Sequence, residues 1–296
     1  MKYHQLGKST LEISEIGFGC MSMGVDQPAN ELLVNRAIEL GINFFDTADV
    51  YEKGLNEISL GKIIKDKRSQ LVIATKVGNV LKADGSGLDW DPSKKYILES
   101  VDQSLRRLQT DYIDLYQLHG GTIEDPIDEV IEAFEILKQQ GKIRFYGISS
   151  IRPNVIKEYI TRSSLVSVMM QYSLLDRRPQ ETCLALLYEN NIGVLARGSL
   201  AKGLLVDKTP TGFLQYDEAT VKVAADAVKS LAGAGRSPSQ TAVGFALAQP
   251  AITSAIVGLR TIAQLEDVTG EAPVLTTEEL STLSKSLPVN YYDQHR

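Results

Sequence analysis

The amino-acid sequence predicts an α/β fold, a single closed (β/α)8 TIM barrel with an N-terminal extension before the first strand and a C-terminal helix and tail. Short runs rich in β-branched and aromatic residues recur eight times, and a segment with helical periodicity follows each run. No linker, composition break or low-complexity segment interrupts this alternation. We therefore expect one domain that spans residues 1–296.

The predicted strands are continuous apolar runs such as LVIAT and YIDLYQL, which suit strands covered on both faces in a parallel sheet. They span residues 15–19, 43–47, 71–77, 112–118, 143–149, 166–172, 192–196 and 253–258. The helices that follow them are predicted at residues 30–40, 57–65, 92–108, 127–140, 153–162, 181–190, 239–247 and 262–268. A further helix is predicted at residues 219–231, in the long segment after the seventh strand.

Capping residues support several helix boundaries. Asp91 and Asp125 each stand directly before a proline, so that a side-chain acceptor precedes a residue suited to a first helical turn. Gly41 and Gly141 are typical of helix ends. These residues predict four boundaries, which belong to three of the helices.

An open, doubly wound parallel sheet is the alternative fold for the same alternation of strands and helices. Such a sheet commonly carries a G-x-G-x-x-G turn after a strand, where it binds a dinucleotide. The nearest match, GFGCMSMG at residues 17–24, has the wrong glycine spacing. The closed barrel is therefore the preferred prediction.

The charge of the chain excludes some classes of partner. Its 37 acidic and 31 basic residues give a formal net charge of −6, and no dense run of Lys and Arg is present. We therefore expect neither nucleic acid nor an anionic membrane surface as a partner, but a small molecule. The apolar residues 242–259 are interrupted by Gln249 and Pro250, and are interpreted as a helix followed by a strand rather than a membrane span.

Cysteine and histidine usage predicts neither disulfides nor a metal site. Cys20 and Cys183 are expected to be buried free thiols, because a chain of this length buries a core without disulfides. The three histidines, His4, His119 and His295, do not stand at ligand spacing from a cysteine or from one another. The N-terminal segment contains no apolar run typical of a signal peptide, so a cytoplasmic location is expected.

Four polar residues at or just after the ends of predicted strands are the candidate catalytic set: Asp46, Tyr51, Lys76 and His119. Each has a structural alternative: Asp46 can cap a turn, Tyr51 can pack a loop, Lys76 can extend to water and His119 can lie in the core. In a (β/α)8 barrel, however, the C-terminal strand ends meet at one face. We therefore expect the four side chains to converge.

The chemistry of this set favours the reduction of a carbonyl group. A phenol has an ordinary pKa of about 10, and a neighbouring Lys76 ammonium is expected to lower the pKa of Tyr51. Asp46 would hold the ammonium charged, and His119 would donate a second hydrogen bond to the substrate oxygen. Such a set can add a proton to a developing alkoxide.

The segments GINFFDTADVY, LVIATKVG and DYIDLYQLHGG resemble those of the aldo-keto reductase superfamily, whose catalytic Asp, Tyr, Lys and His match the four residues above. The resemblance covers almost the whole chain and is greatest to bacterial members with short loops. It implies a barrel that binds NADPH in an extended form and transfers hydride from nicotinamide C4 to an aldehyde or ketone. It also implies a monomer.

The resemblance further implies a set of cofactor contacts. Ser149 and Gln171 match positions that bind the nicotinamide carboxamide, Arg197 matches the position that stacks on the ring, and Arg260 lies where the family meets the 2′-phosphate. Residues 198–201 match the loop around the pyrophosphate. The complete set comprises Gly19, Cys20, Met21, Asp46, Ser149, Gln171, Arg197, Gly198, Ser199, Leu200, Lys202, Gly258, Arg260, Gln264 and Asp267.

Several positions depart from the family pattern. Ser150 and Val268 stand where Asn is usual, and Arg197 replaces an aromatic residue. A guanidinium plane can still stack on the nicotinamide, and its charge would disfavour the oxidised, cationic ring. Leu259 has no side-chain donor for the adenosine. Weaker adenosine binding is therefore expected.

The substrate is the least determined feature. Candidate lining residues are Met21, Val50, Trp90, Phe213 and Tyr216, which favour an apolar or aromatic aldehyde.

Two other functions stay open at this point. The barrel could hold NADPH as a redox-sensing regulatory module with little turnover, or a lysine at position 76 could form a Schiff base as in an aldolase.

Overall fold

A computed structural model describes residues 1–233 and 235–296 of the chain. Eight parallel strands pair around a closed barrel, in the order β3-β4-β5-β8-β9-β10-β11-β12 and back to β3. This confirms the predicted fold class. The strands are β1 (Tyr3–Gln5), β2 (Glu12–Ser14), β3 (Ile16–Gly19), β4 (Phe44–Asp46), β5 (Val72–Val77), β6 (Asn79–Leu81), β7 (Leu88–Trp90), β8 (Ile113–Leu118), β9 (Ile143–Ser149), β10 (Ser167–Gln171), β11 (Gly193–Arg197) and β12 (Ile252–Val257).

The helices lie close to the predicted ranges. Residues 242–259 form the end of one helix and a barrel strand, as interpreted from the sequence. The helices are α1 (Gln27–Glu39), α2 (Leu55–Ile64), α3 (Lys94–Leu108), α4 (Ile127–Gln139), α5 (Pro153–Arg162), α6 (Cys183–Glu189), α7 (Glu218–Ser230), α8 (Pro238–Leu247), α9 (Ile262–Thr269) and α10 (Thr277–Lys285). Among the residues described, no helix combines the length and the apolar character needed to cross a membrane.

Both aspartate caps were wrongly predicted. Helix α3 is capped by Ser93, whose hydroxyl accepts from Tyr96 N at 3.2 Å, while Asp91 accepts from the backbone of Ser93 at 2.9 Å. Helix α4 begins without a side-chain cap, because Asp125 turns away to accept from Trp90 and Thr122. Asp91 therefore holds the N-cap residue of α3, and Asp125 holds the residues that precede α4, while neither caps a helix itself.

Two antiparallel hairpins lie outside the barrel sheet. Strands β1 and β2 form the predicted N-terminal extension, and β6 and β7 form a hairpin that the sequence prediction missed. Trp90 is the last residue of β7. The dipeptide Asp84-Gly85 lies in the turn of the second hairpin, where Gly85 has φ +73°, and was the signal that could have predicted it.

The N-terminal hairpin closes one end of the barrel. Leu6, Leu11 and Ile13 are buried in one cluster with apolar side chains from six barrel strands. This packing fills the N-terminal end, as is usual for barrels of this kind. The polar strand ends consequently lie at the opposite, C-terminal end. Cys20 and Cys183 are both buried free thiols.

Helix α2 packs against the end of α3 at a glycine, which gives a stability prediction. A Cβ added at Gly61 would lie 2.5 Å from the carbonyl oxygen of Leu108, so the backbone of one helix must move. Gly61→Ala is expected to lower the free energy of unfolding by about 1–3 kcal/mol, measured by urea denaturation. Gly24→Ala is the matched control, because a Cβ there meets open space, and it should stay within about 0.5 kcal/mol. Equal effects of the two substitutions would contradict the proposed steric cause.

Candidate active site

Lys76 is the centre of a buried polar cluster at the C-terminal end of the barrel. Its Nζ lies 2.6 Å from Asp46 Oδ2, 2.6 Å from the carbonyl oxygen of Thr47 and 3.4 Å from the hydroxyl of Tyr51. Strands β4 and β5 position Asp46 and Lys76, since Asp46 ends β4 and Lys76 lies near the end of the neighbouring strand β5. The ammonium therefore has three oxygen partners.

Burial and charge oppose each other in this cluster. Burial by itself would lower the pKa of Lys76, but Asp46 and the phenol of Tyr51 outweigh it, and the pKa of the amine is raised. Burial raises the pKa of Asp46, against the opposing effect of the Lys76 charge. Lys76 Nζ and Asp46 Oδ2 lie 2.6 Å apart, and the two groups form an ion pair.

Tyr51 lies in a turn with unusual backbone geometry. It begins a single 3₁₀ turn, Tyr51–Gly54, in which Glu52, Lys53 and Gly54 have φ values of 48°, 55° and 87°. Such left-handed backbone conformations are strained for residues other than glycine. The turn brings the hydroxyl to Lys76.

The direction of the pKa shift at Tyr51 was wrongly predicted. Burial raises the pKa of the phenol above its ordinary value, and the nearby Lys76 charge only opposes this effect. The prediction included the effect of the Lys76 charge, which lowers the pKa of Tyr51, but not the effect of removing water from the hydroxyl, which raises it. Tyr51 is therefore protonated at neutral pH, as a proton donor must be.

His119 directly follows β8 and lies beside Tyr51. The two rings meet edge to face with centroids 5.9 Å apart. Its Nδ1 is buried and has no hydrogen-bond partner in the described structure. Burial, with the charges of Lys76 and Arg197, lowers the pKa of His119 to about 3. The imidazole is thus neutral at physiological pH and can donate only one N–H.

Gln117 is a member of the cluster that the sequence prediction missed. Its Nε2 donates to Asp46 Oδ1 at 3.1 Å, so each carboxylate oxygen of Asp46 has its own donor. Gln117 is fully buried and stands opposite Lys76 in the pairing of β5 with β8. A polar residue two positions before His119 in an apolar strand shares its face, and was the available signal.

The geometry argues against a Schiff base on Lys76. A lysine must lose its charge to act as a nucleophile. The amine of Lys76 is almost fully buried, has three oxygen acceptors and a raised pKa. These contacts favour a structural and electrostatic role for the ammonium.

The predicted nicotinamide contacts lie on three neighbouring strands. Ser149, Gln171 and Arg197 are the last residues of β9, β10 and β11. Gln171 Oε1 accepts from Arg197 Nη1 at 3.2 Å. The charge of Arg197 opposes the rise in the pKa of Tyr51 and contributes to the lowered pKa of His119. Arg197 is therefore within electrostatic reach of the cluster. Ser150 is buried and accepts from the backbone of Arg152.

The loop after β11 has features suited to an anionic ligand. Gly198, Ala201 and Lys202 have φ values of 74°, 47° and 58°, so the backbone turns sharply. The hydroxyl of Ser199 is buried without a hydrogen-bond partner. Turns of this kind direct backbone N–H groups toward a common point. The loop, with Leu200 inside it, therefore fits the predicted pyrophosphate site.

The predicted adenosine end is only partly available to a ligand. Arg260 is exposed, and its backbone donates to the side chain of Gln264 at the start of α9. Asp267 is partly exposed, but Val268 and Leu259 are buried in the hydrophobic core. The Val268 side chain fills the space beneath α9 and offers no polar group at this end.

Gly258 lies next to Ser22, in the segment after β3. Ser22 Oγ accepts from Leu259 N and lies within hydrogen-bond distance of the carbonyl oxygens of Gly19 and Leu259, one of which accepts its proton, and this joins the ends of β3 and β12. The Cys20 side chain is fully buried, so only its backbone is available, whereas Met21 is exposed.

The predicted substrate-lining residues differ in their surroundings. Trp90 donates to Asp125 at 3.0 Å, and its ring occupies the space that a Cβ at Gly78 or Gly120 would need. Those glycines flank the two strand ends that carry Lys76 and His119. The hydroxyl of Tyr216 instead donates to Pro288 in the C-terminal tail.

Comparison with known proteins identifies the family. The model of the Aldo/keto reductase family matches residues 15–287. The chain belongs to the aldo/keto reductase family. It is therefore an oxidoreductase on a (β/α)8 barrel, which confirms the resemblance found in the sequence.

Two relatives show the breadth of the match. This aldo/keto reductase is 49% identical to the uncharacterized oxidoreductase YqkF of Bacillus subtilis, with 100% of both chains covered. It is 31% identical to L-galactose dehydrogenase of Arabidopsis thaliana, over 88% of this chain and 85% of that protein.

Solved structures agree with the fold. The holo form of aldo-keto reductase AKR11C1 from Bacillus halodurans is 49% identical, with a TM-score of 0.94 over 100% of this chain and 99% of that one. Glycerol dehydrogenase AKR11B4 from Gluconobacter oxydans is 26% identical, with a TM-score of 0.85 over 99% and 98% of the two chains.

The lowered pKa of His119 gives a prediction that NMR can check. The imidazole signals of His119, assigned with a His119→Gln variant, should not move between about pH 8 and pH 5. Its contribution to stability is complete above the unfolded pKa of about 6.5 and falls as the pH drops toward about 3, because only the unfolded chain takes up the proton. A titration midpoint near the ordinary value would contradict the described burial.

Proposed function

We propose that this protein reduces aldehyde or ketone carbonyls to alcohols, with NADPH as the hydride donor and Tyr51 as the general acid. The observation that carries the proposal is the contact of a protonated phenol with a buried ion pair, next to a neutral histidine. NADPH, when bound, supplies the hydride that reduces the carbonyl carbon. The other roles belong to residues of this chain.

Tyr51 gives its proton to the substrate oxygen as negative charge develops there. The Lys76 ammonium, 3.4 Å from the hydroxyl, stabilises the phenolate that results. Asp46 and Gln117 keep that ammonium in place and charged. His119, neutral and beside the phenol, donates an N–H to the same substrate oxygen and orients the carbonyl.

The strand ends and the loop after β11 would hold the cofactor. Ser149, Gln171 and Arg197 would meet the nicotinamide, and residues 198–202 would bind the pyrophosphate. The exposed guanidinium of Arg260 favours the 2′-phosphate of NADPH over NADH. Remaining contacts are assigned to Asp46 and to Gly19, Cys20, Met21, Gly258, Gln264 and Asp267.

Tyr51→Phe tests the proposed general acid. Removal of the hydroxyl should lower the rate of NADPH-dependent aldehyde reduction at least about 100-fold, followed by absorbance over a panel of aldehydes. Fluorescence titration should show that the variant still binds NADPH, and binds it more tightly than NADH. The matched control is Tyr188→Phe on the exposed face of α6, which should keep full activity.

Three results would count against this proposal. Full activity of Tyr51→Phe would remove the assigned acid. Wild-type protein that binds NADPH but reduces no aldehyde would favour a redox-sensing module. Borohydride trapping of a carbonyl compound on Lys76 would favour Schiff-base chemistry.

Gln117→Leu tests the support of Asp46. Without the donor at 3.1 Å, the carboxylate is harder to keep ionised, so the pKa of Asp46 should rise further. We expect kcat to fall about tenfold and the acid limb of the pH–rate profile to move to higher pH, with little change in the KM for NADPH. Gln139→Leu, on the exposed end of α4, is the control and should leave the profile unchanged. An unaltered acid limb in Gln117→Leu would contradict this role.

A further inference from the structure

A buried carboxylate lies behind the predicted nicotinamide site. After β10 the chain makes a tight turn in which Ser173 and Asp176 exchange two backbone hydrogen bonds, of 3.2 and 3.1 Å. The turn returns Asp176 to Gln171, whose Nε2 donates to Asp176 Oδ2 at 2.8 Å. Asp176 is fully buried.

Asp176 determines which way the amide of Gln171 points. An ionised carboxylate only accepts hydrogen bonds, so Gln171 must direct its nitrogen toward Asp176 and its oxygen away from it. That oxygen accepts from Arg197 Nη1 at 3.2 Å. Both ends of the amide are therefore paired with groups that cannot exchange their donor and acceptor roles.

The carboxylate is itself held from the other side. Arg178 donates to it through Nε and Nη2, both at 2.8 Å, in a bidentate ion pair. The guanidinium of Arg178 lies 4.9 Å from the ring centroid of Tyr292 in the C-terminal tail. A continuous set of contacts thus runs from the tail to Arg197.

We propose that Asp176 is a positioning residue of the cofactor site, which holds Gln171 so that its amide oxygen faces the nicotinamide and Arg197. This inference rests on the proposed function, in which Gln171 and Arg197 meet the nicotinamide. An oxygen presented there accepts from the carboxamide NH₂ and, at the same time, restrains the cation that would stack on the ring.

The substitution Asp176→Asn should reverse the amide. The new side chain keeps its oxygen on Arg178 and presents NH₂ to Gln171, which must then rotate to accept. Gln171 would then direct its own nitrogen at Arg197, so that two donors face each other. A purely structural role for Asp176 would not affect one end of the cofactor selectively.

Calorimetric titration of the full-length protein with two ligands tests this effect. The first is NADPH, and the second is 2′-phospho-ADP-ribose, which lacks the nicotinamide. Asp176→Asn should weaken NADPH binding about tenfold and change the affinity for 2′-phospho-ADP-ribose less than about twofold. In a Gln171→Leu background the same substitution should have no further effect on NADPH, because Asp176 acts through Gln171.

A second variant removes the risk that Asp176→Asn fails to fold. Asp176→Leu combined with Arg178→Met leaves no buried charge without a partner and removes the acceptor that orients Gln171, so a selective loss of NADPH affinity is again expected. Equal weakening of both ligands, unchanged NADPH binding, or a full effect in the Gln171→Leu background would overturn the inference while the proposed function stands. Wild-type protein that binds 2′-phospho-ADP-ribose but not NADPH would overturn both.

Discussion

Lys76 and Asp46 form an ion pair inside the barrel, where two charges are costly to remove from water. The cost for an isolated buried ion amounts to several kcal/mol, and only close contact and further hydrogen bonds offset it. Both conditions are met, because the oxygen of Thr47 and the amide of Gln117 complete the partners of the two charged groups. The ion pair is therefore stable only where the strand ends hold these four groups together.

The barrel supplies the rigidity that the ion pair needs. Lys76 lies on β5, which pairs with the strand of Asp46 on one side and with the strand of Gln117 on the other, so the separation of the three residues is fixed by backbone hydrogen bonds. Tyr51 is different, since it reaches the ammonium from a strained turn with consecutive left-handed residues. Strain of this kind persists only where the surrounding structure imposes it. Tyr51 is thus positioned by packing around a loop.

A second polar network occupies the neighbouring strand ends. Arg197, Gln171, Asp176 and Arg178 form alternating donors and acceptors that end on Tyr292. The two networks meet where the charge of Arg197 acts on Tyr51 and His119. The residues proposed for proton donation therefore lie at or after the ends of β4, β5 and β8, and the proposed nicotinamide contacts Ser149, Gln171 and Arg197 end β9, β10 and β11.

The sequence by itself determined the barrel and the convergence of Asp46, Tyr51, Lys76 and His119, because hydrophobic periodicity is local and strand ends of a closed parallel sheet share one face. It did not determine the hairpin that carries Trp90, the contact of Gln117 with Asp46, or the link from Asp176 to Arg197. Nor did it give the direction of the Tyr51 pKa shift or the burial of Val268. These depend on how much water each group loses and on partners distant in the chain, which only the packed tertiary structure decides.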